Sequence, residues 1–291
     1  MKELYRKIDT LLELVVFKHS IFALPFLFVS ILVASKMAND SLWFGFKLLF
    51  LALICAVSAR NFAMATNRFL DEDIDKDNPR CQNRPNINGK IDRFSVLIFI
   101  LVNAFIFIIS SYFINSLAFY LSFLVLLILG AYSTFKRFSS LAHFVLGFCL
   151  GLASIAGSVM ILGKIELYSV LLCLGISFWT AGFDLLYSLQ DIDYDREKNL
   201  FSVPAKFGVQ ATLFMSACSH ALAVVFWLLF AYIAKLGIIS FVGIALCAVI
   251  LFFEQRIVRK NFEHIDRAFF TLNGYLSILF LIFVWVDLLW N

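Results

Sequence analysis

The chain reads as an all-α, polytopic membrane bundle of nine transmembrane helices, and three observations carry that reading. It is 62% hydrophobic and only 15% charged over 291 residues, with a mean hydropathy of +0.90, far from the balance of a globular domain in water. Its apolar residues gather into stretches of roughly the 20 residues that a helix needs to cross a hydrocarbon core of about 30 Å. Its cations gather between those stretches, and unevenly.

The stretches lie near residues 16–35, 42–66, 95–114, 116–135, 140–162, 167–190, 211–233, 236–253 and 269–290. The first carries Lys18, His19 and Pro25, unlike the short uninterrupted core and small-residue cleavage site of a secretion signal, so it belongs with the other spans. Lys2, Arg6 and Lys7 precede it, and most other cations fall between the second and third, fourth and fifth, sixth and seventh, and eighth and ninth stretches. The alternate connections hold only Lys36, Lys164 and Lys235. The positive-inside rule then predicts a cytoplasmic N-terminus and an external C-terminus, in a protein expected in the cell (inner or plasma) membrane. The net charge of +4 is thus a topological signal, with none of the clustered basic faces that nucleic acid requires.

No linker or low-complexity run divides the chain, so a single domain over residues 1–291 is expected, with no obligatory protein partner evident. Cys55, Cys81, Cys149, Cys173, Cys218 and Cys247 show no C-x-x-C pairing and read as small packing residues. The 35 phenylalanines suit lipid contact and interhelical packing.

Two acidic runs break the apolar pattern. Asn67, Asp71 and Asp75 end the second stretch, and Tyr187, Asp191 and Asp195 end the sixth, each at i, i+4, i+8 spacing. On an unbroken helix such residues share one face, so each run is read as a stripe of hard oxygen ligands. Asp71 and Asp75 recur at a constant offset as Asp191 and Asp195, which suggests a four-helix internal repeat with the stripes facing one cavity, as in other duplicated membrane folds. A single acidic helix end is more simply a solvated terminus. Two with matched spacing at one membrane face point to divalent metal, because magnesium is typically held by one or two carboxylates plus substrate phosphates.

Arg68, Lys76, Arg80, Arg84 and Lys90 surround the first run, and Lys136 and Arg137 lie in the next basic loop. Such donors stabilise a diphosphate leaving group, although Lys136 and Arg137 read equally well as positive-inside anchors. Glu72, Asp73, Asp77, Asp92 and Asp193 lie off the stripes and read as solvated. Arg60 is embedded in an apolar stretch on nearly the Asn67 face, where an ionisable group is a functional candidate. It would grip an acceptor carboxylate with two donors, the alternative being a structural pair with a cavity carboxylate. His143 and His220 lie in spans without partners at ligand spacing and read as packed polar residues.

Asn67-x-x-x-Asp71-x-x-x-Asp75, followed by Asn78-Pro-Arg80-Cys-Gln-Asn-Arg84-Pro85 and Gly89, resembles the first signature of the UbiA-type intramembrane aromatic prenyltransferase superfamily. Asp184-x-x-Tyr187-x-x-x-Asp191-x-x-x-Asp195 resembles its second, and Tyr132-x-x-x-Lys136-Arg137 a shorter third. Cys81, Asn86 and Ser133 depart from the usual Thr, Leu and Pro. The phrase Gly182–Asp191, with Ser202–Gly208, is similar to members labelled 4-hydroxybenzoate polyprenyltransferases, including a menaquinone-pathway branch. The resemblance implies that Asn67, Asp71, Asp75, Asp191 and Asp195 hold Mg2+ on the diphosphate of an allylic polyprenyl donor. It implies that Arg80, Arg84, Lys136 and Arg137 neutralise that diphosphate and that Arg60 binds an aromatic acid. Asp184, Tyr187 and Asp191 are the catalytic candidates, with Asp184 assisting ring-proton loss. The rivals are superfamily members with protohaem, chlorophyllide or glycerol-phosphate-lipid acceptors, and, from another class, a secondary transporter of anionic lipids.

Overall fold

The structure is a computed structural model that describes residues 10, 11, 13–15, 23–260 and 271–291. Lys2, Arg6, Lys7, Lys18, His19, Arg267 and the start of the first stretch, residues 16–22, lie outside the described residues. Eleven α-helices are described: α1 (Leu24–Asn39), α2 (Phe46–Leu70), α3 (Glu72–Asp77), α4 (Arg93–Ile114), α5 (Ser116–Ala131), α6 (Ala142–Leu162), α7 (Leu167–Ser188), α8 (Ile192–Glu197), α9 (Val203–Ile233), α10 (Ile238–Lys260) and α11 (Asn273–Trp290). Short 3-10 turns cover Pro79–Cys81, Tyr132–Arg137 and Leu189–Asp191. Among the described residues no strand occurs.

Among the described residues eight segments are long and apolar enough to cross a membrane, and α1 is a shorter apolar helix. The nine predicted stretches therefore map onto eight spans and α1, whose upstream residues are not described. Proline at the second position of α1 suits a helix start, where its missing N–H costs nothing. The eighth stretch runs on beyond residue 253, and Glu254 and Gln255 are buried helical residues of α10. Polarity is inverted relative to a soluble protein: Phe105, Leu127, Phe214 and Phe252 are exposed, while Ser30, Ser154, Ser169, Thr180 and Thr212 are fully buried. Lipid solvates the first group. In the second, Ser30 Oγ donates to the Ser154 carbonyl and Ser154 Oγ to the Ser169 carbonyl, between helices, while Ser169 and Thr212 donate to carbonyls three and four residues earlier.

The chain divides into two compact units. The first comprises Met1–Ser20 and Leu49–Thr134. Within it, Leu14, Val15, Ala65, Val96 and Ile100 form an apolar cluster, and the Asn61 amide donates to Asn103 Oδ1 at 3.1 Å, joining α2 to α4.

The second unit comprises Ile21–Leu48 and Phe135–Asn291. Its centre is an aromatic cluster in which Phe26, Trp179, Trp227 and Phe280 lie with ring centroids 5.2–6.4 Å apart. Helices α6 and α7 pack backbone to side chain. A Cβ on Gly147 would sit 2.1 Å from the Ser177 carbonyl oxygen, and one on Gly151 2.6 Å from that of Cys173. Gly147 and Gly151 thus form the small-residue stripe that allows close helix approach in membranes. Buried Glu254 accepts from Asn273 Nδ2 at 2.9 Å, and Asn273 Oδ1 accepts from Trp179 Nε1 at 2.8 Å, tying α7, α10 and α11 together.

Candidate active site

Neither acidic run continues its helix straight, which corrects the single-helix stripe. Helix α2 stops at Leu70, and Asp71 takes φ −95°, ψ 7° before α3 begins. Helix α7 stops at Ser188, and Asp191 takes φ −105°, ψ 8° before α8 begins. Both residues sit in the sparsely used bridge region where active-site residues recur. Aspartate is a poor interior helix residue and a good terminal one, so Glu72, Asp73 and Asp75 start a new helix, as do Asp193 and Asp195.

In the first run the helical pitch survives the break. The Asp71 N–H donates to Asn67 O at 2.9 Å, and the Asp75 N–H to Asp71 O at 2.8 Å. Asn67 Nδ2 donates to Asp71 Oδ2 at 2.7 Å. Asp71 and Asp75 are 1% and 4% exposed. The following loop folds back over them. The Asn78 side chain caps the Pro79–Cys81 turn, Asn86 Nδ2 donates to Arg68 O at 3.2 Å, and Arg84 pairs with Asp75 through a short contact to Oδ2. Arg68 lies within Coulomb range of Arg84 and Asp75. Arg80 is exposed. Glu72 does not stand free in solvent as expected, since it pairs with Lys76 at 2.8 Å and Arg93 at 3.7 Å. Asp92 caps α4 by accepting from Ser95 N at 2.9 Å.

In the second run the 3-10 turn winds more tightly than an α-helix, so Tyr187 and Asp191 no longer share an ideal i, i+4 face. Tyr187 packs against the cluster of Leu186, Leu189, Leu213 and Val258. Lys136 and His143 lie within Coulomb range of Asp195, and the Lys136 carbonyl accepts from the Phe201 N–H at 2.8 Å. Arg137, next to it, is exposed. His143, expected as a packed polar residue, is buried and is bonded to Asp184, with Nδ1 to Oδ2 at 2.7 Å. Its Nε2 is buried and has no hydrogen-bond partner among the described residues. His220 is buried in the span as expected and meets Gln255 Nε2 at 3.1 Å.

Arg60 lies on α2 with its Nε buried and without a hydrogen-bond partner among the described residues. Tyr132 and Arg68 are titratable neighbours of Arg60. A guanidinium N–H left unpaired at this depth costs free energy until an acceptor arrives.

Among the described residues no three Asp, Glu, His or Cys side chains converge on a single ion position. Each run therefore lacks a closed protein cage. Hard amide and carboxylate oxygens at a membrane edge do fit an ion whose shell is completed by water and substrate oxygens. Sequence reasoning missed the His143–Asp184 pair.

The described features define a polytopic helical membrane protein with an acidic junction in each of its units. The chain belongs to the UbiA prenyltransferase family, whose pattern matches residues 23–284. It is 26% identical over 233 residues to the 4-hydroxybenzoate octaprenyltransferase of Cupriavidus pinatubonensis (strain JMP 134 / LMG 1197), covering 78% of this chain and 81% of that one. The apo structure of a UbiA homolog from Aeropyrum pernix K1 matches with a TM-score of 0.78 and 30% identity over 93% of this chain and 97% of that one. A UbiA homolog from Archaeoglobus fulgidus bound to GPP and Mg2+ shares the fold, with a TM-score of 0.68 and 17% identity over 96% and 99%.

Proposed function

We propose that the protein transfers a polyprenyl group from an allylic polyprenyl diphosphate to the ring of an aromatic acid, 4-hydroxybenzoate or a dihydroxynaphthoate, in quinone biosynthesis. The observation that carries the choice of acceptor is Arg60, a half-buried guanidinium on an apolar helix whose buried Nε has no hydrogen-bond partner among the described residues and that a carboxylate would satisfy. The 4-hydroxybenzoate octaprenyltransferase among its relatives supports the same reading. The whole chain acts as one prenyltransferase domain of the cell membrane, with the acidic junctions cytoplasmic and the C-terminus external.

Asn67, Asp71 and Asp75, together with Asp191 and Asp195, would hold Mg2+, which supplies Lewis-acid charge to the departing diphosphate. Arg80, Arg84, Lys136 and Arg137 place further positive charge beside the phosphate oxygens. The allylic C–O bond breaks with its electron pair leaving on diphosphate. A ring carbon of the acceptor then attacks the allylic cation, and the ring C–H proton passes to Asp184, whose orientation His143 holds. Tyr187 is a further catalytic candidate of the second run. The apolar helices exclude the water that would otherwise quench the cation.

The test is product analysis of the purified chain with Mg2+, a polyprenyl diphosphate and a panel of aromatic acids, glycerol-phosphate lipids, protohaem and chlorophyllide. Ring-prenylated aromatic acid is the expected product. Prenylation of another acceptor class alone, or movement of intact lipid across vesicles without diphosphate release, contradicts the reading.

A further inference from the structure

Helices α9 and α10 of the second unit leave between them a groove of about 710 Å³ whose walls are mainly apolar, with His220 and Gln255 also lining it. Ala221 and Ala248 give it room, and Phe252, 62% exposed, forms one lip. From Ala248 to Lys260 it runs about 18 Å along α10, at about 1.5 Å per residue. At one end stand Arg256, Arg259 and Lys260. Their i, i+3, i+4 spacing puts them on one helix face. All three are exposed, and none forms an ion pair among the described residues.

This basic end is the end of the unit that carries the second acidic junction. Arg259 donates to the Leu213 carbonyl at 3.5 Å, and Val258 and Leu213 cluster with Leu186 and Leu189, just before Asp191. The cations therefore stand at a membrane edge, beside an apolar channel open to lipid. Arg256, Arg259 and Lys260 line the groove itself.

We propose that this groove binds an anionic phospholipid, with the phosphate on Arg256, Arg259 and Lys260 and an acyl chain along the alanine walls. Charge complementarity selects that occupant. Basic pockets between transmembrane helices on the basic-loop side recognise anionic headgroups, and a zwitterionic lipid brings no net charge to hold. A second copy docked face to face would set three like cations against these three. The proposal is independent of the prenyl acceptor.

The experiment uses the full chain in zwitterionic nanodiscs doped with dioleoylphosphatidylglycerol or dioleoylphosphatidylcholine, with retained lipid counted by native mass spectrometry and Tm followed in parallel. Phosphatidylglycerol should be retained and should raise Tm, and phosphatidylcholine should do neither. Arg256→Gln/Arg259→Gln/Lys260→Gln together should lower phosphatidylglycerol affinity by on the order of 100-fold. Ala221→Phe, which fills the groove and keeps the cations, should lower it as well, and free glycerol phosphate should give no shift. Equal retention of the two lipids, full retention by the triple variant, or an unaffected Ala221→Phe protein would overturn the proposal. So would a dimer that buries the groove.

Discussion

His143 Nδ1 and Asp184 Oδ2 lie 2.7 Å apart, joining positions 41 residues distant in sequence and linking α6 to α7. Asp184 is half-buried on a helix inside the membrane, where a carboxylate without a partner would be costly. A charge-assisted bond to imidazole fixes which oxygen points away from the histidine.

If Asp184 takes the ring proton, His143→Ala should leave donor KM unchanged and lower kcat about 10- to 100-fold. It should also lower the ratio of prenylated product to released diphosphate, since ionisation would outrun capture. His143→Asn, which can still donate to Asp184, should recover part of that ratio. A variant with normal coupling would make the pair a packing contact only.

The acidic junctions make a second prediction. Asp71→Asn and Asp191→Asn keep size and hydrogen bonding while removing charge, so helical content should persist and turnover should fall on the order of 100-fold or more. Chelator should reproduce the loss in the wild type. Normal rates in either variant would remove that junction from the site.

Gly208 interrupts α9 with φ 81°, ψ 173°, a region that only glycine occupies readily. Open space surrounds its Cβ position, so the cost of Gly208→Ala is conformational, about 1–3 kcal/mol. Thermal unfolding should show a lowered Tm with no change in oligomeric state.

Burial pushes the Cys81 thiol up to about 11 from 9.0, in the loop that covers Asp75. The folded state thus favours the neutral thiol. Its contribution is intact below pH 9 and is lost as pH rises through about 11. Iodoacetamide at pH 8 should modify Cys81 far more slowly than a free thiol, and a Cys81→Ser protein should lose less stability between pH 9 and 11.

The spans were legible because hydropathy and loop charge act residue by residue. Boundaries were less so: Lys206 hid the start of α9, and Glu254 looked like a loop residue although Asn273 holds it inside α10. Spacing of four residues fits both a straight helix and a kinked junction, so the carboxylates at Asp71 and Asp191 could be chosen from sequence while the breaks beside them could not. The His143–Asp184 bond was invisible for a different reason, since only helix packing brings those positions together. Arg60 stood out because charge within an apolar stretch is costly wherever the helices pack.

The most direct test is steady-state kinetics of Arg60→Ala with a polyprenyl diphosphate and 4-hydroxybenzoate or a dihydroxynaphthoate. Removing one partner of a buried charge pair costs about 3 kcal/mol or more, so kcat/KM for the aromatic acid should fall by at least roughly 100-fold, with donor affinity unchanged. Arg60→Lys should recover only part, because an ammonium keeps charge but lacks the planar two-donor grip. Weakened donor binding with unaltered acceptor kinetics would place Arg60 at the diphosphate and contradict the aromatic-acid reading.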